Sequence, residues 1–134
     1  MYLASRQSDL ITQDRLTQGA SFIAVKDTAI VGTITVYEPY QSSEVPLYRQ
    51  KGVCHFGQYA VDPDLQGSGL GKRLYQTIED HCKANNVKTL ALDTAETDFE
   101  LIALYQRWGF KVMDRVKWDV TNYHSVIMAK DLVH

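Results

Sequence analysis

Between Leu70 and about Asn85, apolar residues return every fourth position, at Leu70, Leu74, Ile78 and Cys82, while Lys72, Arg73, Glu79 and Asp80 fall mostly off that stripe. Such spacing predicts an amphipathic helix with one face turned to a core. Phe99 to Trp108 predicts a second helix, stopped by Gly109, with Phe99, Trp108 and Phe110 in the core. Leu10, Ile11 and Leu16 are compatible with a short helix over Asp9 to Gln18, for which Gly19 would be the stop. Elsewhere the pattern changes to runs rich in β-branched residues. Ser21 to Lys26 and Ile30 to Glu38 read as a hairpin about Asp27-Thr28-Ala29, and Val53 to Val61 as a strand ended by Asp62-Pro63-Asp64. Thr89 to Asp93 reads as a short buried strand, and Phe110 to Val120 with Tyr123 to Lys130 as two more about Thr121-Asn122. Pro39 to Gly52 reads as a surface loop. The sum is an α/β (α+β) chain with a mixed, mostly antiparallel sheet flanked by helices.

Length and composition narrow this picture. A chain of 134 residues makes one domain, 1–134, because a second core would leave each half too small. The hydrophobic fraction of 45% and charged fraction of 22% fit a folded soluble protein, and the longest unbroken apolar run, Leu101 to Tyr105, is far shorter than a membrane span needs. A formal charge of -2 lacks the basic excess that draws proteins to nucleic acid. Two cysteines, Cys54 and Cys82, make no disulfide scaffold, and no secretory leader opens the chain, so a cytoplasmic location is expected.

The chemistry gathers at Gln66-Gly67-Ser68-Gly69-Leu70-Gly71-Lys72, between a predicted strand and a predicted helix. Residues without Cβ let backbone N–H groups converge there, and the helix adds its own unpaired N–H groups, so a phosphate or pyrophosphate is the natural ligand. The glycine spacing departs from both the Walker A loop and the dinucleotide fingerprint, which disfavours ATP, GTP and NAD. A strand-to-helix connection with no ligand is the alternative.

Val61-Asp62-Pro63 followed by Gln66-Gly67-Ser68-Gly69-Leu70-Gly71 resembles the acyl-CoA-binding motif of the GNAT superfamily of N-acetyltransferases. Ala103-Leu104-Tyr105-Gln106-Arg107-Trp108-Gly109-Phe110 is similar to the second signature of that family, L-Y-x-x-x-G-F. The resemblance implies the GNAT fold and an acetyltransferase that uses acetyl-CoA as cosubstrate, with no metal. It places the pyrophosphate on the backbone of Gln66, Gly67, Ser68, Gly69, Leu70 and Gly71, with Lys72 near the phosphates. It runs the pantetheine arm along Tyr59, Ala60 and Val61, and makes the Tyr59 amide the candidate donor to the tetrahedral oxyanion. Tyr105 takes the position of the general acid toward the thiolate, unless it is a packing tyrosine beside Leu101 and Leu104. Where relatives often carry Asn, this chain has Asp98, which leaves one cofactor contact open.

His55 is the best single candidate for the base that deprotonates the amine, since alternation puts it on one face with Gly57, Tyr59 and Val61; the alternatives are a histidine satisfying a core hydrogen bond, with the proton lost directly to water or through water to Asp93 and Glu96. Glu38, Glu44, Asp93, Glu96 and Asp119 are candidates to meet a cationic amine, and Tyr37, Tyr40, Tyr48, Trp118 and Tyr123 to form an aromatic pocket or merely pack the sheet. The expected activity is acetyl transfer from acetyl-CoA to a primary amine of a small molecule or peptide, by direct attack in a ternary complex. A catalytically silent CoA-binding sensor or interaction module is the alternative. Exposed sheet edges favour a homodimer.

Overall fold

The structure is a computed structural model that describes residues 2–4, 10–16, 19–118 and 124–132. It contains the strands β1 (Tyr2–Ala4), β2 (Leu10–Leu16), β3 (Gly19–Lys26), β4 (Ala29–Tyr37), β5 (Val53–Val61), β6 (Thr89–Ala95), β7 (Lys111–Lys117) and β8 (His124–Asp131). They form one sheet in the order β1-β2-β3-β4-β5-β6-β8-β7. Helix α1 (Leu70–Ala84) links β5 to β6, and α2 (Phe99–Arg107) links β6 to β7. Neither helix is long and apolar enough to cross a membrane.

The fourfold spacing of α1 is what it buries. Leu70, Leu74, Ile78 and Cys82 are all 6% exposed or less and pack on Phe22, Ile34, Phe56, Leu90 and Met128 of the sheet. A buried polar cluster fastens the same helix to β8: Tyr75 Oη and Lys130 Nζ both donate to Glu79 Oε1, at 2.6 and 2.5 Å. Burial alone would raise the Glu79 carboxyl, but the hydrogen bonds from Lys130 and Tyr75 hold it down at about 2. A smaller cluster of Val45, Tyr48, Val53, Ala91, Ile127 and Ala129 covers the other face.

Three expectations change. Residues 10–16 form β2, not a helix, because they pair antiparallel with β3 from Leu10↔Val25 to Leu16↔Gly19. A local pattern carries no record of such a distant partner. Gly19 is no helix stop; a Cβ there would lie 2.0 Å from the Val36 carbonyl oxygen of β4, so close strand approach requires glycine. The expected loop over Pro39 to Gly52 contains a 3₁₀ turn, Pro46–Arg49, that buries Val45 and Tyr48 on the second face. Phe99, expected in the core, is 75% exposed at the start of α2, whereas Phe110 is buried. The expected Thr121-Asn122 turn lies outside the described residues.

Two departures from a regular sheet shape its centre. The parallel pair β5–β6 is hydrogen-bonded only from Val53↔Thr89 to His55↔Ala91. Beyond that point β5 follows β4 and β6 follows β8, so Phe56–Val61 and Leu92–Ala95 part into a fork. The second departure is a β-bulge. Thr33 pairs with Ala60 but Thr35 with Gly57, so Gln58 and Tyr59 together oppose Ile34, and Gln58 sits at φ 51°.

Candidate active site

The turn from Val61 into α1 is self-supporting. Asp62 accepts a hydrogen bond from the Asp64 amide at 2.9 Å, and Ser68 Oγ donates to the Leu65 carbonyl. The Gln66 and Ser68 amides are used inside the turn, donating to the carbonyls of Pro63 and Leu65, and the Leu70 amide leans on Ser68 Oγ at 3.4 Å. The amides of Gly67, Gly69, Gly71 and Lys72 have no partner among the described residues, and they gather where α1 has its positive end. The expected anion site therefore rests on four of these seven amides. Gly67 and Gly69 adopt φ 84° and 88°, and a Cβ at either would meet nothing within 4 Å. They supply the left-handed backbone and leave the space above it open. Gly71 differs: a Cβ there would stand 3.2 Å from Tyr59 Oη, and that hydroxyl donates to the Gly71 carbonyl.

This turn forms one wall of a cleft of about 280 Å³, whose other wall includes Tyr59, Leu104 and Trp108. Lys72 Nζ lies 4.9 Å from the centre of the Trp108 ring, and Trp108 stacks on Tyr75 at 4.6 Å. Tyr105 is 5% exposed, with Phe56, Trp108 and Phe110 set edge-on around it at 5.7 to 5.9 Å. Burial, with the Asp98 charge added, pushes its phenol up to about 12. Burial and the nearby Tyr105 raise the Tyr59 phenol as well. Asp98 caps α2 by accepting from the Leu101 amide at 3.2 Å, which is the local work of that side chain here.

The bulge breaks the alternation on which the sequence reading relied. Tyr59 and Val61 belong to the α1 side, where Tyr59 meets Phe56 and Gly71. His55 and Gly57 face the other side, where both contact Tyr37. Ala60 is exposed beside them on β5. His55 is 8% exposed and lies parallel to the Tyr48 ring at 3.8 Å, with Tyr37 stacked at 4.9 Å and Tyr40 at 5.9 Å. Its Nδ1 has no hydrogen-bond partner among the described residues. Burial lowers its proton affinity to about 4. A base that weak takes a proton from an ammonium of pKa ~10 at a cost of about 8 kcal/mol, which argues against the general-base expectation.

Tyr48 links His55 to the end of the fork: its hydroxyl donates to Asp93 Oδ2 at 2.7 Å, and burial followed by the Asp93 charge raises the phenol. Of the carboxylates considered from sequence, Asp93 alone is joined to the tyrosines among the described residues; Glu96 is engaged by Arg115 and faces His124 at 3.7 Å. Asp119 and Tyr123 lie outside the described residues, and Trp118 donates to Ser125 Oγ at 3.1 Å. Cys54 and Cys82 are free thiols buried on the α1 side. The Tyr48–Asp93 bond was missed in sequence because 45 residues separate its members.

Residues 2–110 match the family model of the acetyltransferase (GNAT) family. The chain is 30% identical over 129 residues to the S-(2-succino)cysteine N-acetyltransferase of Bacillus subtilis, covering 94% of this chain and 74% of that protein. It is 41% identical over 51 residues to the [ribosomal protein bS18]-alanine N-acetyltransferase of Escherichia coli, which is 38% of this chain and 34% of that one. In structure it is similar to the ribosomal-protein-S18-alanine N-acetyltransferase of Escherichia coli, with a TM-score of 0.70, 21% identity and coverage of 90% and 73%. A GNAT acetyltransferase from Elizabethkingia anophelis with acetyl-CoA bound superposes with a TM-score of 0.68 at 20% identity, covering 87% of this chain and 78% of that one. With the glycine turn, the forked sheet and the family match in agreement, the chain belongs to the GNAT family of acetyltransferases and is an acyltransferase enzyme.

Proposed function

We propose that this enzyme transfers an acetyl group from acetyl-CoA to a primary amine by direct attack in a ternary complex. The observation that carries the reading is the set of four amides, Gly67, Gly69, Gly71 and Lys72, without partners among the described residues, at the positive end of α1, beside a cleft that Tyr59 lines from β5. These amides and Lys72 hold the pyrophosphate, for which a fixed, preoriented set of N–H groups is suited. The unpaired edge of β5 beyond His55 accepts the pantetheine arm as an added strand would be accepted. The bulge at Gln58 and Tyr59 turns backbone donors out of the β4 ladder, which supports the Tyr59 amide as the oxyanion donor.

To Tyr105, buried against Trp108 of the cleft wall, this reading gives the role of protonating the thiolate. A phenol near 12 stays protonated at neutral pH, and donates fully to a thiolate of pKa ~8.5 to 9 only against a gap of about 3 units. Its hydrogen bond therefore stabilises the developing charge, with the proton passing late. We assign His55 no base role; the amine enters as its free base or loses its proton to water.

The test is release of free thiol from acetyl-CoA over a panel of primary amines, with product mass confirming N-acetylation. Acetyl-CoA should also raise the melting temperature much more than ATP or NAD. Equal shifts from all three overturn the cofactor assignment. Binding without turnover on any amine overturns transfer in favour of a CoA-binding module. A soluble, cytoplasmic enzyme is the setting this reading implies.

A further inference from the structure

At the apex of the fork, on the face opposite α1, stands an assembly that the acetyl-CoA reading does not use. Tyr37, Tyr40 and Tyr48 surround His55, and Tyr48 bonds the exposed carboxylate of Asp93. His55 Nδ1 is buried among these rings without a partner among the described residues, so a polar group brought to it would satisfy a buried atom that is otherwise unpaired. His55 and Ala91 are the last pair before β5 and β6 separate, so the assembly stands where the fork opens, and Tyr59, four residues further along β5, lines the cleft on the α1 side.

We propose that this assembly is the acceptor subsite and that it selects primary amines with no carboxylate on the amine-bearing carbon. The inference rests on the acetyl-transfer reading and adds the substrate class. Tyrosine faces attract an ammonium through their ring quadrupoles, and Asp93 supplies the opposite charge. The group is otherwise neutral, since burial favours the uncharged imidazole of His55. Glu38, which follows Tyr37, lines a different cavity with Cys54, Lys51 and Lys88 and takes no part in the assembly. Among the described residues no Lys or Arg pairs with Asp93: Arg115 forks onto Glu96 through Nε and Nη2, Lys51 lines that other cavity with Lys88, and Arg49 is exposed at the end of the 3₁₀ turn. An amino acid would bring its α-carboxylate within a few ångströms of Asp93, where no cation among the described residues is paired to offset it. The substrate of the Bacillus subtilis relative is a cysteine derivative, so the proposal separates this chain from that relative in acceptor choice.

The experiment compares amines with their carboxylated counterparts: 2-phenylethylamine with phenylalanine, tyramine with tyrosine, and both pairs with S-(2-succino)cysteine. The amine of each pair should exceed its amino acid in kcat/KM by about 100-fold, the size of one unscreened like-charge contact near a protein surface. Asp93→Asn should raise KM for the amines about tenfold or more and shrink the amine preference to less than tenfold. KM for acetyl-CoA and the melting temperature should not change, which a merely structural Asp93 would not give. Amino acids acetylated as well as or better than amines overturn the subsite while leaving transfer standing. Asp93→Asn with both ratios unchanged also overturns it. Acetyl-CoA binding with nothing acetylated overturns this proposal and the transfer reading together.

Discussion

Gly69→Asp separates the glycine's two duties, shaping the turn and leaving room for an anion. No atom lies within 4 Å of the Cβ that the substitution adds, so it meets no steric obstacle in the free protein. The φ of 88° costs an L-residue about 1 kcal/mol. A carboxylate at the start of α1 returns about 0.3 to 1 kcal/mol against the helix dipole, and Asp tolerates this backbone better than most residues. The free protein should therefore keep its stability within about 1 kcal/mol. For 134 residues the unfolding entropy is roughly 0.28 kcal/mol/K, so its melting temperature moves by no more than about 4 °C. Binding is another matter. A carboxylate about 5 Å from a diphosphate charge is repelled by about 3 kcal/mol at an effective dielectric near 20, roughly a 200-fold loss in affinity. With acetyl-CoA at about 100 times the wild-type Kd, the ligand stabilises the wild type by about 2.7 kcal/mol, a shift of about 10 °C, and the variant by less than about 0.5 kcal/mol. Differential scanning fluorimetry with and without acetyl-CoA reads both quantities. A variant that keeps more than half of the wild-type shift puts the pyrophosphate elsewhere, and one that loses about 10 °C without ligand makes the glycine structural.

Tyr105→Phe keeps the ring that Phe56, Trp108 and Phe110 surround, so stability and acetyl-CoA affinity should hold while kcat falls by about 10²-fold; turnover within threefold removes the acid role. His55 is depressed to about 4 in the fold from 6.5, so the unfolded chain binds the extra proton between those values and stability is fully present above pH 6.5 and lost as pH falls toward 4. His55→Phe should remove roughly 3 kcal/mol of that dependence in urea titrations from pH 7 to 4, and an unchanged slope refutes the buried neutral imidazole. Glu79, held at about 2 against 4.5, contributes stability that is present above pH 4.5 and lost as pH falls through 2. Glu79→Gln leaves Lys130 without its anion and should cost about 3 kcal/mol at neutral pH; a loss under about 1 kcal/mol would show the cluster to be dispensable.

The parts that could be read from the sequence are those whose cause is local. The stripe of α1 is visible because one buried helix face imposes its own period, and the glycine turn because a left-handed backbone and an open anion site both exclude side chains. Residues 10–16 were misassigned because three apolar positions fit either period and their strand state depends on β3. Phe99 was misplaced because α2 begins among the exposed residues Asp98, Phe99 and Glu100, where hydrophobicity says nothing about burial. His55 and Tyr59 were put on one face by counting in twos, which holds only in an uninterrupted strand. The bulge depends on how β4 accommodates nine residues of β5, and nothing in either segment alone announces it.

That single extra residue makes β5 a strand with two allegiances. Before Gln58, the odd-numbered side chains point toward the tyrosine side; after it, odd-numbered Tyr59 and Val61 point toward α1. Parity thus changes ownership halfway along one continuous backbone. On the proposed reading, positions 55 and 57 can vary with the incoming amine while 59 and 61 remain matched to the carrier of the acyl group. A library confined to the first pair and Tyr37 should redirect acceptor choice without touching the donor, whereas removing Gln58 would leave a plain alternating strand with Tyr59 and Val61 still facing α1.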